Sequence, residues 1–271
     1  MVDEMICLAH QRHWGRFFLM GRLVLCLLGM LPLVCQADNI RVAVPSSGLA
    51  FSVGELSEAG EAARQRIVTD ASASGMTGCM AYCEVLQHVW GALQPVFQAQ
   101  QEKQDLRLLV LRSPSIEALS FADGTIVISE DFIARAGLDQ AQIAFVLAHE
   151  ASHVLLQHES QTLTSMLAVL PSKAARTAQD IYTEMEYNYY ALSDPVTFIF
   201  HQIEFEADEV ALQLAAMAGF APQLQLQFMG QRAKVSAETG MYSTHPRARD
   251  RLQRLQDQMP LAVRMFELGQ R

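Results

Sequence analysis

In the stretch LAHEASHVLLQH, residues 147 to 158, His149 and His153 stand four positions apart with Glu150 beside the first. At ~3.6 residues per turn the two imidazoles lie about 40° apart around a helix axis, so both can reach one metal ion from the same side. Glu150 then sits beside the ion rather than on it, placed to take a proton from a metal-activated water. Such a centre would hydrolyse peptide bonds. The competing reading is a pair of hydrogen-bonded core histidines on a buried helix.

A catalytic zinc takes three protein ligands and leaves a fourth position to water. His158 lies five residues after His153, about 140° around the axis if the helix runs on, and the spacer VLLQ contains no helix breaker, so it points away from the pair. A better source is the helical stretch HQIEFEADEVALQLAA, residues 201 to 216. Its polar face takes Gln202, Glu206, Glu209 and Gln213, whereas Glu204 and Asp208 share a stripe with Ala207, Ala211 and Ala215. A carboxylate on a buried stripe must be paired or bind a metal. Glu204 is therefore assigned as third ligand and Asp208 as the acceptor that orients a ligating imidazole. His201, a turn before Glu204, is the reserve ligand.

These residues need a scaffold. Alternation in NIRVAV suggests a short strand at 39–45, and ELSEAGEAARQRIV and CMAYCEVLQHVWGALQPVFQAQQ read as helices. Between 105 and 129 the period changes: DLRLLVLRS, IEALSF and TIVIS are short and rich in strand-forming residues, with ADG as a turn between the last two. This predicts a small sheet ending in a hairpin. The remainder is helical, punctuated by Pro171, Pro195, Pro222 and Pro246. One helix is expected over 139–158, apolar on every side through IAFVLA, and therefore central. The class expected is α+β, mostly helical with a small sheet. The tyrosine-rich stretch 178–195 reads as a helix packing rings into the core, with a gate over the cleft as the alternative.

Arg12, Arg16 and Arg22 precede a 13-residue apolar run (23–35), and Ala37 precedes the expected cleavage site. At ~1.5 Å per residue that run falls short of a ~30 Å hydrocarbon layer. Residues 1–37 are read as a secretory signal peptide, with Met1 or Met20 as the start, and 38–271 as one globular domain. Cys79 and Cys83 are the two cysteines outside that leader; one face of a helix would hold them near the upper limit of bridging distance, so a disulfide and two buried thiols both stay open. The formal net charge of −9 disfavours nucleic acid and anionic lipid as partners.

HEASHVLLQH, followed by EFEAD from Glu204 and then by STHPRARDRL (243–252), resembles the HtpX, BepA and CAAX prenyl protease family of gluzincin metallopeptidases, whose pattern is H-E-x-x-H, E-x-x-x-D, then T-H-P with an Arg five positions beyond the Pro. Thr244, His245, Pro246 and Arg251 match the third element. The resemblance implies a zincin-type domain holding one Zn2+ per chain on His149, His153 and Glu204, with Glu150 as general base, His245 near the metal and Asp208 and Arg251 supporting the ligands. His245, or Tyr242 near it, would stabilise the oxyanion. It also implies that an extended substrate lies against an edge strand bordering the active-site helix, here Ala118, Leu119, Ser120 and Phe121. HtpX and the prenyl proteases are membrane-embedded, and no second apolar stretch here approaches a span. With the leader, the expectation is an exported endopeptidase of the periplasm, free or peripheral to the outer membrane, that cleaves unfolded or misassembled envelope proteins. The alternative is a zinc-containing binding module without catalysis.

Overall fold

A computed structural model describes residues 48–100, 105–170, 177–235 and 245–270, without the side chains of 186–193 and 235. The expected leader and the expected strand at 39–45 lie outside the described residues. Helix α1 (Val53–Ala73) begins at a capping box in which Ser52 and Glu55 satisfy each other's backbone N–H. Helix α2 (Cys83–Gln100) follows. The sheet then forms from β1 (Arg107–Leu111), β2 (Ala118–Ser120) and β3 (Thr125–Ser129). Its order is β1-β3-β2, with β3 parallel to β1 and antiparallel to β2. The hairpin turns at Gly124, whose φ of +87° suits glycine and where a Cβ would meet the Asp105 carbonyl oxygen at 2.5 Å.

Period-two alternation assigns the sheet's two faces. Ile126 and Ile128 join the main core with Leu93 of α2, whereas Val127 joins a smaller cluster with Leu111 and Ala71 of α1. After α3 (Glu130–Ala136) comes α4 (Gln140–Leu155), capped by Asp139 and buried from Ala141 through His149. Helices α5 (His158–Val169), α6 (Ala178–Ser193), α7 (Thr197–Met217), α8 (Pro222–Val235) and α9 (Ala248–Gly269) complete the domain. Helix α4 packs against α7, α2 and α8, and α9 covers α7 and α8. Buried Ala144, Ala148 and Ala151 on α4 and Ala207, Ala211 and Ala215 on α7 keep that pair of helices close. The expected α+β, mostly helical architecture is the observed one. No helix among the described residues is long and apolar enough to cross a membrane.

Two expectations need correction. The helix expected over 139–158 is two helices, because Gln157 adopts a left-handed backbone with φ of 55°. The turn lets Leu163 and Met166 of α5 enter a second core with Phe51, Leu56 and Ile181. Gln161 Nε2 donates to the freed Leu156 carbonyl at 2.9 Å. Tertiary burial here overrides the local helical preference of VLLQ.

The helix expected from Cys79 starts only at Cys83. Residues 76–78 are drawn along β1, with Gly78 N–H donating to Val110 and Arg112 N–H to Met76. The buried Glu130 carboxylate accepts the N–H groups of Met80, Ala81 and Tyr82 at 2.9, 2.9 and 2.7 Å, satisfying donors at the entry to α2 from a remote part of the chain. With Cys79 off the helix, its Cα is 5.4 Å from that of Cys83, inside the usual bridging range, and the two form a disulfide.

On α6, Ile181 and Tyr182 pack into the second core with Leu56 and Met166, as the core reading of that stretch requires; the side chains of Tyr187, Tyr189 and Tyr190 lie outside the described residues.

Candidate metal centre

Helical spacing on α4 brings His149 Nε2 and His153 Nε2 face to face at 3.1 Å. From α7, Glu204 places Oε2 at 3.5 Å from His149 Nε2 and Oε1 at 3.5 Å from His153 Nε2. Donors roughly 2.0–2.1 Å from a tetrahedral ion stand roughly 3.3 Å apart, so this triangle has the size of a zinc face. The three ligand atoms form one compact cluster, to which His201 does not belong.

The surroundings fix which ring nitrogens point inward. Asp208, fully buried on α7, has Oδ1 at 3.1 Å from His149 Nδ1. Arg251 on α9 grips Asp208 through Nε and Nη2 at 2.6 and 2.7 Å and reaches Glu204 Oε2 with Nη1 at 3.2 Å. A neutral His149 with its proton on Nδ1, toward Asp208, offers an Nε2 lone pair to the centre. His153 Nδ1 is likewise engaged, 3.0 Å from His158 Nδ1. If both Nε2 atoms are unprotonated, their lone pairs face each other at 3.1 Å beside the Glu204 carboxylate, an arrangement that a cation between them satisfies, and in that state the donor set fits a metal.

The electrostatics agree. Burial opposes charge on His149, but hydrogen bonding and attraction from Asp208 and Glu204 prevail and raise its pKa to about 10. The same pull would act on a metal ion competing for that nitrogen. Burial of Glu204 is outweighed by His149, His153 and Arg251, which hold its carboxyl well below the usual range. Burial pushes Glu150 up, against the opposing effects of His149 and of a hydrogen bond from Ser120. That bond, Ser120 Oγ to Glu150 Oε2 at 2.9 Å, ties the expected base to strand β2.

Among the described residues β2 is an outer strand of the sheet. Phe121 N–H donates to Thr125 and Ser129 N–H to Glu117, so residues 117, 119 and 121 spend their backbone groups on β3. Antiparallel alternation then leaves those of Ala118 and Ser120 facing outward. A strand added along the expected 118–121 segment would take its hydrogen bonds from Ala118 and Ser120, with Leu119 between them opposite a partner residue in a non-hydrogen-bonded pair. A cavity of about 250 Å³ opens beside His153 and Ser120, with Leu56, Phe121, Leu163 and Ile203 in its walls. A second, of about 100 Å³, lies beside Glu150, with Phe132, Phe145, Phe228 and His245 around it.

His245 is exposed and stands 3.7 Å by Nε2 from Glu204 Oε1, at the rim of the cluster. Thr244 and Tyr242 lie outside the described residues. Sequence reasoning missed His158, which the bend at Gln157 swings back onto His153, and Glu206, which lies 3.5 Å from His158 Nε2 rather than on a merely solvated face. It also missed Ser120 as the partner of Glu150. Residues 85–259 match the family model of Peptidase family M48. No curated protein matches the chain.

Proposed function

The chain belongs to peptidase family M48, a family of zinc metallopeptidases, and from that premise we propose that it is an exported endopeptidase cleaving unfolded or misassembled envelope proteins, with one zinc on His149, His153 and Glu204. The observation that carries this reading is the hydrogen bond from Ser120 to Glu150, which joins the carboxylate beside the ligand cluster to the strand on which a substrate would lie. Bound zinc supplies a Lewis acid that activates water at neutral pH and polarises the scissile carbonyl.

The residues of the chain do the rest. Glu150 takes a proton from the attacking water and returns it to the leaving amine, held in place by Ser120 throughout. The outward backbone groups of Ala118 and Ser120 pair with an extended chain, which gives affinity without demanding a sequence. The apolar cavity beside Ser120 suits a hydrophobic side chain of that strand. Unfolded proteins offer both features, an unpaired strand and exposed apolar side chains, whereas folded ones bury them. His245, at the rim, is placed to donate a hydrogen bond to the oxyanion.

The test is cleavage of casein by the zinc-loaded protein beside its Glu150→Gln variant. The variant is expected to keep stoichiometric zinc and lose at least about 10²-fold in rate, the loss expected for a general base. Undiminished cleavage would remove Glu150 from the mechanism. Zinc binding without cleavage in the wild type would favour a non-catalytic binding module instead.

A further inference from the structure

Two nitrogens 3.0 Å apart, His153 Nδ1 and His158 Nδ1, share one hydrogen, and the metal reading of the centre decides whose it is. If His153 offers its Nε2 lone pair to a metal, a neutral ring carries its proton on Nδ1 and must donate. His158 Nδ1 is then the acceptor, and its own proton is on Nε2. That nitrogen faces Glu206 Oε2 at 3.5 Å, long for a hydrogen bond but a favourable distance for a carboxylate beside an N–H dipole. Glu206 is in turn fixed by Gln202, whose Nε2 donates to Oε1 at 2.6 Å. His158 is fully buried, so its ring has little freedom to adopt another arrangement.

From this chain of contacts we infer that His158 and Glu206 are positioning residues for the metal: they fix the ring orientation and tautomer of His153 through a His153–His158–Glu206 relay. The relay does for His153 what Asp208 does directly for His149, with a neutral ring interposed between ligand and carboxylate. A second carboxylate against His153 would add negative charge to a pocket that already buries Glu204 and Asp208. An imidazole supplies the same acceptor without it. The element that makes this possible is the left-handed Gln157, since an unbroken helix would carry His158 about 140° away from His153.

The inference rests on the zinc reading above, and the test separates the two. Zinc affinity of the full chain is measured by competition with a chromogenic chelator, together with the thermal midpoint of the metal-free protein. His158→Leu, similar in size but without an acceptor, is expected to weaken zinc by about 10- to 100-fold with little change in the metal-free midpoint. His158→Asn, whose Oδ1 can take the place of Nδ1 as acceptor, should regain most of that loss. Equal affinity of His158→Leu and wild type, or an Asn variant as weak as Leu, would overturn the relay while leaving the zinc site standing. Should the Leu variant not fold, ring-nitrogen NMR of the wild-type zinc form decides. A proton on His153 Nδ1 with none on His158 Nδ1 supports the relay, and the reverse sinks it. A wild-type chain that binds no zinc removes both readings.

Discussion

The two imidazoles that face the centre are held by unlike surroundings. His149 leans on charge: buried Asp208 stands 3.1 Å from its outer nitrogen, and Arg251 clamps that carboxylate with two short hydrogen bonds. His153 leans on a neutral ring, with charge entering only at Glu206, a residue 40% exposed at its side chain. The first side is built where α4, α7 and α9 meet in the main core; the second borders the cavity between β2, α5 and α7. The difference shows how a site can orient two ligands without burying a carboxylate behind each. One buried carboxylate comes with its own counter-charge, and the other is left near water.

The harshest way to break this comparison is to remove the counter-charge. In Arg251→Met the Asp208 and Glu204 carboxylates lose their shared guanidinium inside the protein. Breaking a buried pair from one side costs about 3–5 kcal/mol, which for a domain of this size lowers the thermal midpoint by roughly 10 °C. Calorimetry of the metal-free protein reads it. A midpoint within a degree or two of wild type would mean that water reaches those carboxylates and that the charged side is not as dry as its packing implies.

The carboxylate ends of the two sides give a sharper contrast. Asp208→Asn should weaken zinc by about 10- to 100-fold, as losses of oriented partners of ligating histidines do. Glu206→Gln should weaken it by only about two- to fivefold, because an exposed carboxylate acting through a second ring is screened by solvent. Chelator competition on both variants decides. Equal losses would mean that charge at Glu206 matters as much as charge at Asp208, and the asymmetry would be one of distance alone.

The charged side was legible in the sequence and the neutral side was not. Helical periodicity puts His149, Glu150 and His153 on neighbouring directions, and the alanine stripe of α7 exposes Glu204 and Asp208 as carboxylates where burial was due. Those arguments run within one helix each, and regular helices obey them. The His153–His158 contact depends instead on a break in the helical pattern. Gln157 carries no turn signature, unlike Gly or Asn, and the energy that bends the chain there comes from Leu163 and Met166 entering a core shared with Phe51 and Ile181, residues distant in sequence. Cys79 follows the same logic, since Glu130 draws its neighbours out of the helix from 50 positions away. The edge strand was placed correctly as an element, but which of its residues face outward depends on register with β3, which no single strand specifies.

The smallest expected effect tests whether that bend serves the ligand. At a left-handed position glycine carries no Cβ penalty, so Gln157→Gly should leave stability within about 1 kcal/mol of wild type, relief of strain offsetting the greater freedom of the unfolded chain. Zinc affinity should not change, because His158 stays where it is. Gln157→Val has the same backbone to adopt with a branched Cβ, at a cost of about 1–2 kcal/mol. If the chain straightens in response, His158 leaves His153 and zinc weakens by about the factor seen in His158→Leu. If the left-handed turn survives instead, stability falls and zinc affinity holds, because the packing of α5 alone is then enough to fix the bend. Thermal midpoint and zinc affinity measured on the same samples separate the two. Either way the ratio of the losses measures how tightly the neutral side of the centre is coupled to the second core.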